Sequence, residues 1–380
     1  MTIREIGYYS AVTTPAVSDE FLCQKNGASQ KTTTTEILDA ISDFTQYDKD
    51  DLIASGIVMG TQSDAQVKIS LAQIIAYAKT IAYGMIYAGY TTTIVKTCEA
   101  YSVSAKTWAA KADLPTPVRI GHAASTISNK GYVYGGETTA YSKLQDCDEY
   151  AFGSPGTWTS KTSFSSTARS YLSASTILGK GYIYGGNLGV GLCDEFDASG
   201  NSWVANKDTL NTERSYTAAT TILDKGYVFG GANRSTVGDP LSSLRLQSFE
   251  QYNSITDEWT TMGNYSTPAR NLHAAFTLLD KGYICGGTNQ SSAPLEDCDY
   301  YDPGTEAWAA AQSFTINNPF VFAMYGLSGT SILGKGYLFG GNISIAVKTS
   351  LKYYPKLNSW AQLGNLSTAT YYLAASSLHS

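Results

Sequence analysis

Charge is scarce in this 380-residue sequence: 15% of its residues are Asp, Glu, Lys or Arg, against roughly 25% in an average domain. A net charge of −6 supplies no basic field, which argues against a nucleic-acid partner. No stretch is apolar enough to cross a bilayer, so membrane insertion is not expected. The opening MTIREIGYYSAVTTPAVSDEF holds no apolar core of the signal-peptide kind, and secretion by that route is not expected either. Coiled-coil heptads are missing, so homo-oligomerisation is left open. With three histidines and no CxxC pair, the chain is expected to carry no metal and no cofactor. The six cysteines are Cys23, Cys98, Cys147, Cys193, Cys285 and Cys298. Four of them share one slot of a repeat, and equivalent slots in different repeats lie apart. A disulfide framework is therefore not expected, and the residues read as small buried thiols of a reducing compartment.

Glycine and tyrosine are abundant instead, at 35 and 28 residues, as suits short strands and tight turns. They recur with a period. LGKGYIYGG (178–186) returns as LDKGYVFGG (223–231), LDKGYICGG (279–287) and LGKGYLFGG (333–341), and is prefigured by SNKGYVYGG (128–136). All six tryptophans keep step: Trp108, Trp158, Trp203, Trp259, Trp308 and Trp360. Seven or eight residues before each stands Tyr101, Tyr150, Phe196, Tyr252, Tyr301 or Tyr353. Each unit reads as four strands; in one they are SYLSASTIL, GYIYGG, LCDEF and SWVANK. The Lys-Gly steps predict a short hairpin whose glycine takes positive φ and forms a bulge. The paired glycines end a strand where a Cβ does not fit or φ must be positive. Units of about fifty residues with four strands predict a mainly β fold, a six-bladed β-propeller over residues 81–380. The first unit starts at its second strand, GMIYAG (84–89), and the chain finishes on an unpaired inner strand, YYLAASSLHS (371–380). Pairing the two closes the ring and removes a sheet edge.

The Gly-Gly, Tyr and Trp positions resemble kelch repeats over residues 84–380. Antiparallel order puts the irregular loops 232–248, 288–297 and 313–327 on one rim and short uniform turns on the other. Variable loops on a rigid scaffold are where binding sits. The same rim should carry Arg119, Arg169, Arg214 and Arg270, with Met324 and Ala369 in the last two slots. Four guanidinium groups around a channel mouth suit an acidic peptide, a carboxylated sugar or phosphate. The kelch resemblance implies this use, since kelch substrate adaptors place arginines similarly. The alternative is that they bond carbonyls or acids of neighbouring blades. Tyr171, Tyr216 and Tyr371, two residues further on, can stack on sugars or simply pack. Lys130, Lys180, Lys225, Lys281 and Lys335 sit in the opposite turns and read as solvated. His122 and His273 share a slot in different blades and read as scaffold.

Residues 1–80 have another texture, that of a small α+β module with an internal duplication, about 12–44 and 49–80. Aligning Lys31 with Lys68 puts Thr33 on Ser70 and Glu36 on Gln73, a capping box in each copy. Each copy predicts a strand, a polar turn, a second strand and a helix, near 34–44 or 71–82. TTPAVSDEFLCQKNGASQKTTTTEIL resembles the N-terminal attachment modules of bacteriophage tail fibres and related virion proteins. That resemblance implies anchoring to other virion proteins through residues 1–80. The module is expected to emerge at the short-turn rim, leaving the long-loop rim free for a host-surface glycan or outer-membrane protein. An enzyme is not expected: oxidase chemistry lacks converging histidines, and a glycosidase would need acidic partners for Arg119, Arg169 and Arg214 that cannot be placed. An intracellular adaptor for an acidic peptide is the second reading, and a purely architectural propeller stays close behind.

Overall fold

The computed structural model describes residues 82–379, apart from 188–190, 235–242, 266 and 315–322, and the backbone of four short strands before residue 62. The chain divides into two compact units, Met1–Ala82 and Tyr83–Ser380. In the first unit, Glu20–Lys25 pairs antiparallel with Ala28–Thr33 and with Ile6–Tyr8, and Ile6–Tyr8 runs parallel to Met59–Thr61. The helices expected near 34–44 and 71–82, and the module's point of emergence, lie outside the described residues. Ala82 alone is described there, and it opens a strand.

The second unit is a six-bladed β-propeller of four-stranded antiparallel sheets. From the axis outward the strands of each blade are a, b, c and d. Blade 2 has Ala123–Ile127, Lys130–Tyr134, Cys147–Ala151 and Thr157–Lys161. Blade 3 has Ser173–Ile177, Lys180–Tyr184, Cys193–Asp197 and Ser202–Lys207. Blades 4, 5 and 6 repeat this from Ala218, Ala274 and Ser328. Blade 1 draws strand a from the chain's end, Ala374–His379, beside Ala82–Tyr90, Ile94–Ser102 and Thr107–Lys111. The six a strands touch in sequence and return to the first, so the ring is closed as the sequence predicts.

Each a strand carries a hydroxyl residue just before its last buried apolar residue, and these hydroxyls link the blades. Thr126 Oγ1 donates to the Ser377 carbonyl at 2.8 Å, Thr176 to Thr126 at 2.7 Å, Thr221 to Thr176 at 2.7 Å and Thr277 to Thr221 at 2.5 Å. Ser331 donates to the Thr277 carbonyl in the same way. These are main-chain acceptors that the ladder within a blade leaves free, satisfied across the gap between blades.

The turns between a and b differ from the expectation. Leu178 and Gly179 take φ of 49° and 77°, and Ser128 and Asn129 take 46° and 61°. Ile177 then pairs directly with Lys180. Two successive residues at positive φ make a two-residue type I′ turn with no bulge. The glycine after each lysine lies inside strand b and is needed for space. A Cβ on Gly181 would meet Tyr134 Oη of the preceding blade at 2.5 Å, and one on Gly282 would meet Phe229 Cζ at 3.1 Å.

That contact organises the core between blades. The aromatic ending strand b packs edge-on against the tryptophan of the next blade: Tyr134 on Trp203 at 5.7 Å, Tyr184 on Trp259 at 5.4 Å, and Phe229 on Trp308 at 5.7 Å. Phe339 on Trp108 at 5.2 Å carries the series across the closure. Such pairs add about 0.5–1.5 kcal/mol each beyond area burial. Trp158, Trp203, Trp259 and Trp360 each donate Nε1–H to a carbonyl just past the preceding blade's d strand, at 2.7–2.9 Å. Blade 5 departs from the pattern. Cys285 takes the aromatic slot of strand b, directly opposite Cys298 of strand c, and the two form a disulfide. The absence of disulfides expected from the sequence is corrected here. Only Cys98, Cys147, Cys193 and Cys298 share the repeated slot, and Cys285 faces the last of them within one blade. Cys98, Cys147 and Cys193 are free and buried.

Candidate functional site

The rim of the long b–c and d–a loops was expected to present a ring of arginines. The structure instead seals all four. Arg119, Arg169, Arg214 and Arg270 expose no surface. Each is paired with a carboxylate of strand c in its own blade, one residue after Cys147, Cys193, Phe249 or Cys298: Asp148, Asp194, Glu250 and Asp299. A guanidinium taken fully from water needs such a partner, because an unpaired buried charge costs several kcal/mol. Arg214 also donates to the carbonyls of Gly230 and Ser248 at 2.9 and 3.0 Å. As placed, none of the four can reach a ligand. Blades 6 and 1 have other residues in the slot. Met324 packs in an apolar cluster that includes Leu351, which stands where the acid would be. Blade 1 keeps the acid, Glu99, which accepts the backbone N–H groups of Ser367 and Thr368. Its slot residue is Thr370, one place later than Ala369: Gly341 N–H donates to the Thr370 carbonyl as Gly136 N–H donates to that of Arg169.

Three residues after the arginine, His122 and His273 are also enclosed. His122 Nε2–H donates to the Tyr87 carbonyl of the preceding blade at 3.0 Å. Burial first, and then the charge of Arg119, holds its pKa down to about 4. Burial and Arg270 hold His273 down to about 3.

Between arginine and histidine lies a second belt that the sequence did not reveal. Tyr372 N–H donates to the Gly326 carbonyl at 2.8 Å, Gly326 to Leu272 at 2.8 Å, Leu272 to Tyr216 at 3.0 Å, Tyr216 to Tyr171 at 2.9 Å and Tyr171 to Gly121 at 2.6 Å. All six residues have φ between 53° and 65°, the left-handed region where a bulky side chain is uncommon. They encircle the channel mouth, a recess of about 90 Å³. Tyr171 lies over Gly121, and Tyr372 over Gly326, where any Cβ would strike the ring.

The tyrosines here are continuous. Tyr171 and Tyr216 have centroids 4.2 Å apart, Tyr171 and Tyr372 5.9 Å, and Tyr371 and Tyr372 4.6 Å. Tyr371 extends the group to Tyr90 at 5.4 Å and Tyr325 at 6.4 Å. All six are half-buried. Tyr171 Oη donates to Glu137 Oε1 at 3.0 Å, and Glu137 also holds Ser170 and Lys143. Burial, then Glu137, raises the Tyr171 pKa. Tyr171 and Tyr216 therefore come together at the mouth, while the four arginines lie sealed behind it. In the last repeat the matching tyrosine is Tyr372, with Tyr371 beside it. Arg245 is a rim residue the sequence reading passed over. Lying in the hairpin Ala232–Arg234/Ser243–Arg245, it contacts Gln290, Thr288 and Ser292 of the blade 5 loop.

On the short-turn rim the lysines are anchored, not simply solvated. Lys130 donates to Glu149 at 2.7 Å, with Tyr132 and Lys161 on the same carboxylate. Burial pushes Glu149 up, but these hydrogen bonds outweigh it and hold the carboxyl down to about 2. Lys180 pairs with Glu195 and Lys281 with Asp302. Lys225 bonds Gln251 at 3.2 Å, and Lys335 is buried. Among the described residues, no three His, Cys, Asp or Glu side chains cluster in a way that could hold a metal ion.

No protein-family model and no curated protein matches this chain. Among solved structures, one described as the structure of YjhT is similar, with a TM-score of 0.54 at 15% identity over 68% of this chain and 87% of that one. A likeness at that identity concerns the propeller fold alone.

Proposed function

We propose that the chain is a structural component of a bacteriophage virion: a tail fibre, neck appendage or surface decoration. Its first eighty residues dock to other virion proteins, and a kelch-type propeller presents its long-loop rim to the host surface. The observation that carries this reading is the difference between the two rims. The short-turn rim is uniform, with Lys130, Lys180 and Lys281 tied to acids of their blades and Lys225 to Gln251. The other rim holds the irregular loops and a half-buried tyrosine cluster around the channel mouth, a recognition surface on a rigid scaffold. The anchoring half rests on the resemblance of residues 12–38 to tail-fibre attachment modules. The adaptor reading relied on exposed guanidinium groups, and the sealing of all four weakens it.

The test is composition. Particles purified through a density gradient should contain this chain at a fixed stoichiometry, measured by quantitative mass spectrometry, and antibodies to the long-loop rim should slow adsorption to host cells. A chain recovered only in the soluble fraction of infected cells would overturn the reading.

A further inference from the structure

We propose that the tyrosine platform at the channel mouth is a binding site for a neutral saccharide; this rests on the reading of the long-loop rim as the recognition face. The first argument is conformational. The belt slot is filled by Gly in blades 2 and 6, yet Tyr171, Tyr216 and Tyr372 occupy the same left-handed backbone at φ 53–55°. A bulky residue there costs free energy that glycine does not. The belt's hydrogen bonds are the same in either case, so the backbone at this slot does not itself require a tyrosine.

The second argument is chemical. Six half-buried tyrosines bring aromatic surface with polar edges to the mouth, suited to the C–H faces and hydroxyls of a pyranose ring. The backbones of Tyr171, Tyr216 and Tyr372 are fixed by the belt, Tyr90 and Tyr371 bond each other, and Tyr325 bonds Asn342, so little ordering entropy is lost on binding. The third argument is electrostatic and selects the class of saccharide. Arg119, Arg169, Arg214 and Arg270 are sealed, and Glu137 is paired with Lys143 beside Tyr171. The Arg245 guanidinium is directed at the Thr288 and Ser292 hydroxyls of the neighbouring loop. An anionic sugar would bring a charge to a platform with no free cation among these residues.

The experiment is a glycan array of neutral and acidic oligosaccharides, probed with the full chain, its Tyr216→Gly and Tyr372→Gly variants, and Tyr371→Phe. Glycine is the residue other blades already use in this slot, so unchanged tryptophan-monitored unfolding should show that the fold persists. Binding to at least one neutral glycan, weakened about tenfold by each glycine variant, retained by Tyr371→Phe and insensitive to salt, is the expected result. Binding confined to acidic glycans, binding to a host protein but to no glycan, no glycan binding at all, or neutral binding unchanged in both glycine variants each overturns the proposal. A chain found in particles that binds no neutral glycan would refute this inference alone. A glycan-binding chain missing from particles would refute the virion reading alone.

Discussion

Blade 6 supplies a design for testing the sealed arginines. Where blade 3 has Arg169 and Asp194 in an ion pair without exposed surface, blade 6 has Met324 and Leu351 in one apolar cluster. If the pair serves only to satisfy itself inside the blade, the combination Arg169→Met with Asp194→Leu should fold as blade 6 does. Each single change should not. Removing one partner leaves a charge fully buried, at a cost of about 3–5 kcal/mol. In the double variant the remaining loss is local: the Ser166 hydroxyl, which donates to Asp194 at 2.5 Å, loses its acceptor, worth about 1 kcal/mol. Phe164, which lies 5.3 Å from the Arg169 guanidinium, keeps its packing. The double variant should thus be more stable than either single one, with a coupling energy of several kcal/mol. Urea unfolding followed by tryptophan fluorescence is the assay, since all six tryptophans lie in the propeller. Costs that simply add in the double variant would show that the arginine and the aspartate act independently, and the reasoning would fail.

Three further outcomes follow from contacts described above. His122 and His273 have folded pKa values of about 4 and about 3, below the unfolded value near 6.5; the unfolded chain therefore takes up protons first, and stability present above pH 6.5 is lost as pH falls. Between pH 7.5 and 5 the propeller should lose on the order of 2 kcal/mol per histidine, and a His122→Gln/His273→Gln variant with an undiminished pH slope would contradict this. Thr221→Val removes the donor to the Thr176 carbonyl and should cost about 1–2 kcal/mol, whereas Thr221→Ser should restore most of it; equal midpoints for Val and wild type would count against the hydroxyl belt. Gly181→Ala brings a methyl to 2.5 Å from Tyr134 Oη and should cost about 1–3 kcal/mol, less in a Tyr134→Phe background; an unchanged cost there would put the strain elsewhere.

Period, strand count and closure were legible because they depend on what every unit repeats. The tryptophan spacing and the glycine pairs mark where chain direction and blade contacts must recur, and the orphan strand at the chain's end had one place to pair. Partners were harder to read. Spacing placed the arginines on a rim, but burial depends on the depth of the loop beneath the next one. A signal was nonetheless present: Asp148, Asp194, Glu250 and Asp299 accompany the four arginines, and Leu351 accompanies Met324. The Lys-Gly step was misread for a related reason. Glycine in a turn-like string suggests positive φ, yet the residues that take it are the two before the lysine. The glycine's constraint comes from an aromatic of the preceding blade, Tyr134 for Gly181 and Phe229 for Gly282. The Cys285–Cys298 disulfide and the one-residue shift to Thr370 and Tyr372 both depend on register, which an average repeat hides.

Six copies of one blade also work as an internal control. The residue near the end of strand a is Thr or Ser in every blade, and in blades 2 to 6 its hydroxyl joins blade to blade, so its constancy follows from the ring. The belt slot runs Tyr, Gly, Tyr, Tyr, Leu and Gly from blade 1 to blade 6, on one backbone conformation. A position where backbone geometry is identical and the side chain is not has a side chain that the backbone alone does not dictate. At the arginine slot the variation is compensated inside the blade, by Leu351 for Met324 and by backbone N–H groups on Glu99. At the belt slot the exchange is met across blades, with Tyr171 over Gly121 and Tyr372 over Gly326, and the tyrosines meet one another over the channel mouth. Variation with an internal partner belongs to packing. Variation that clusters at the mouth is the part a glycan array would test.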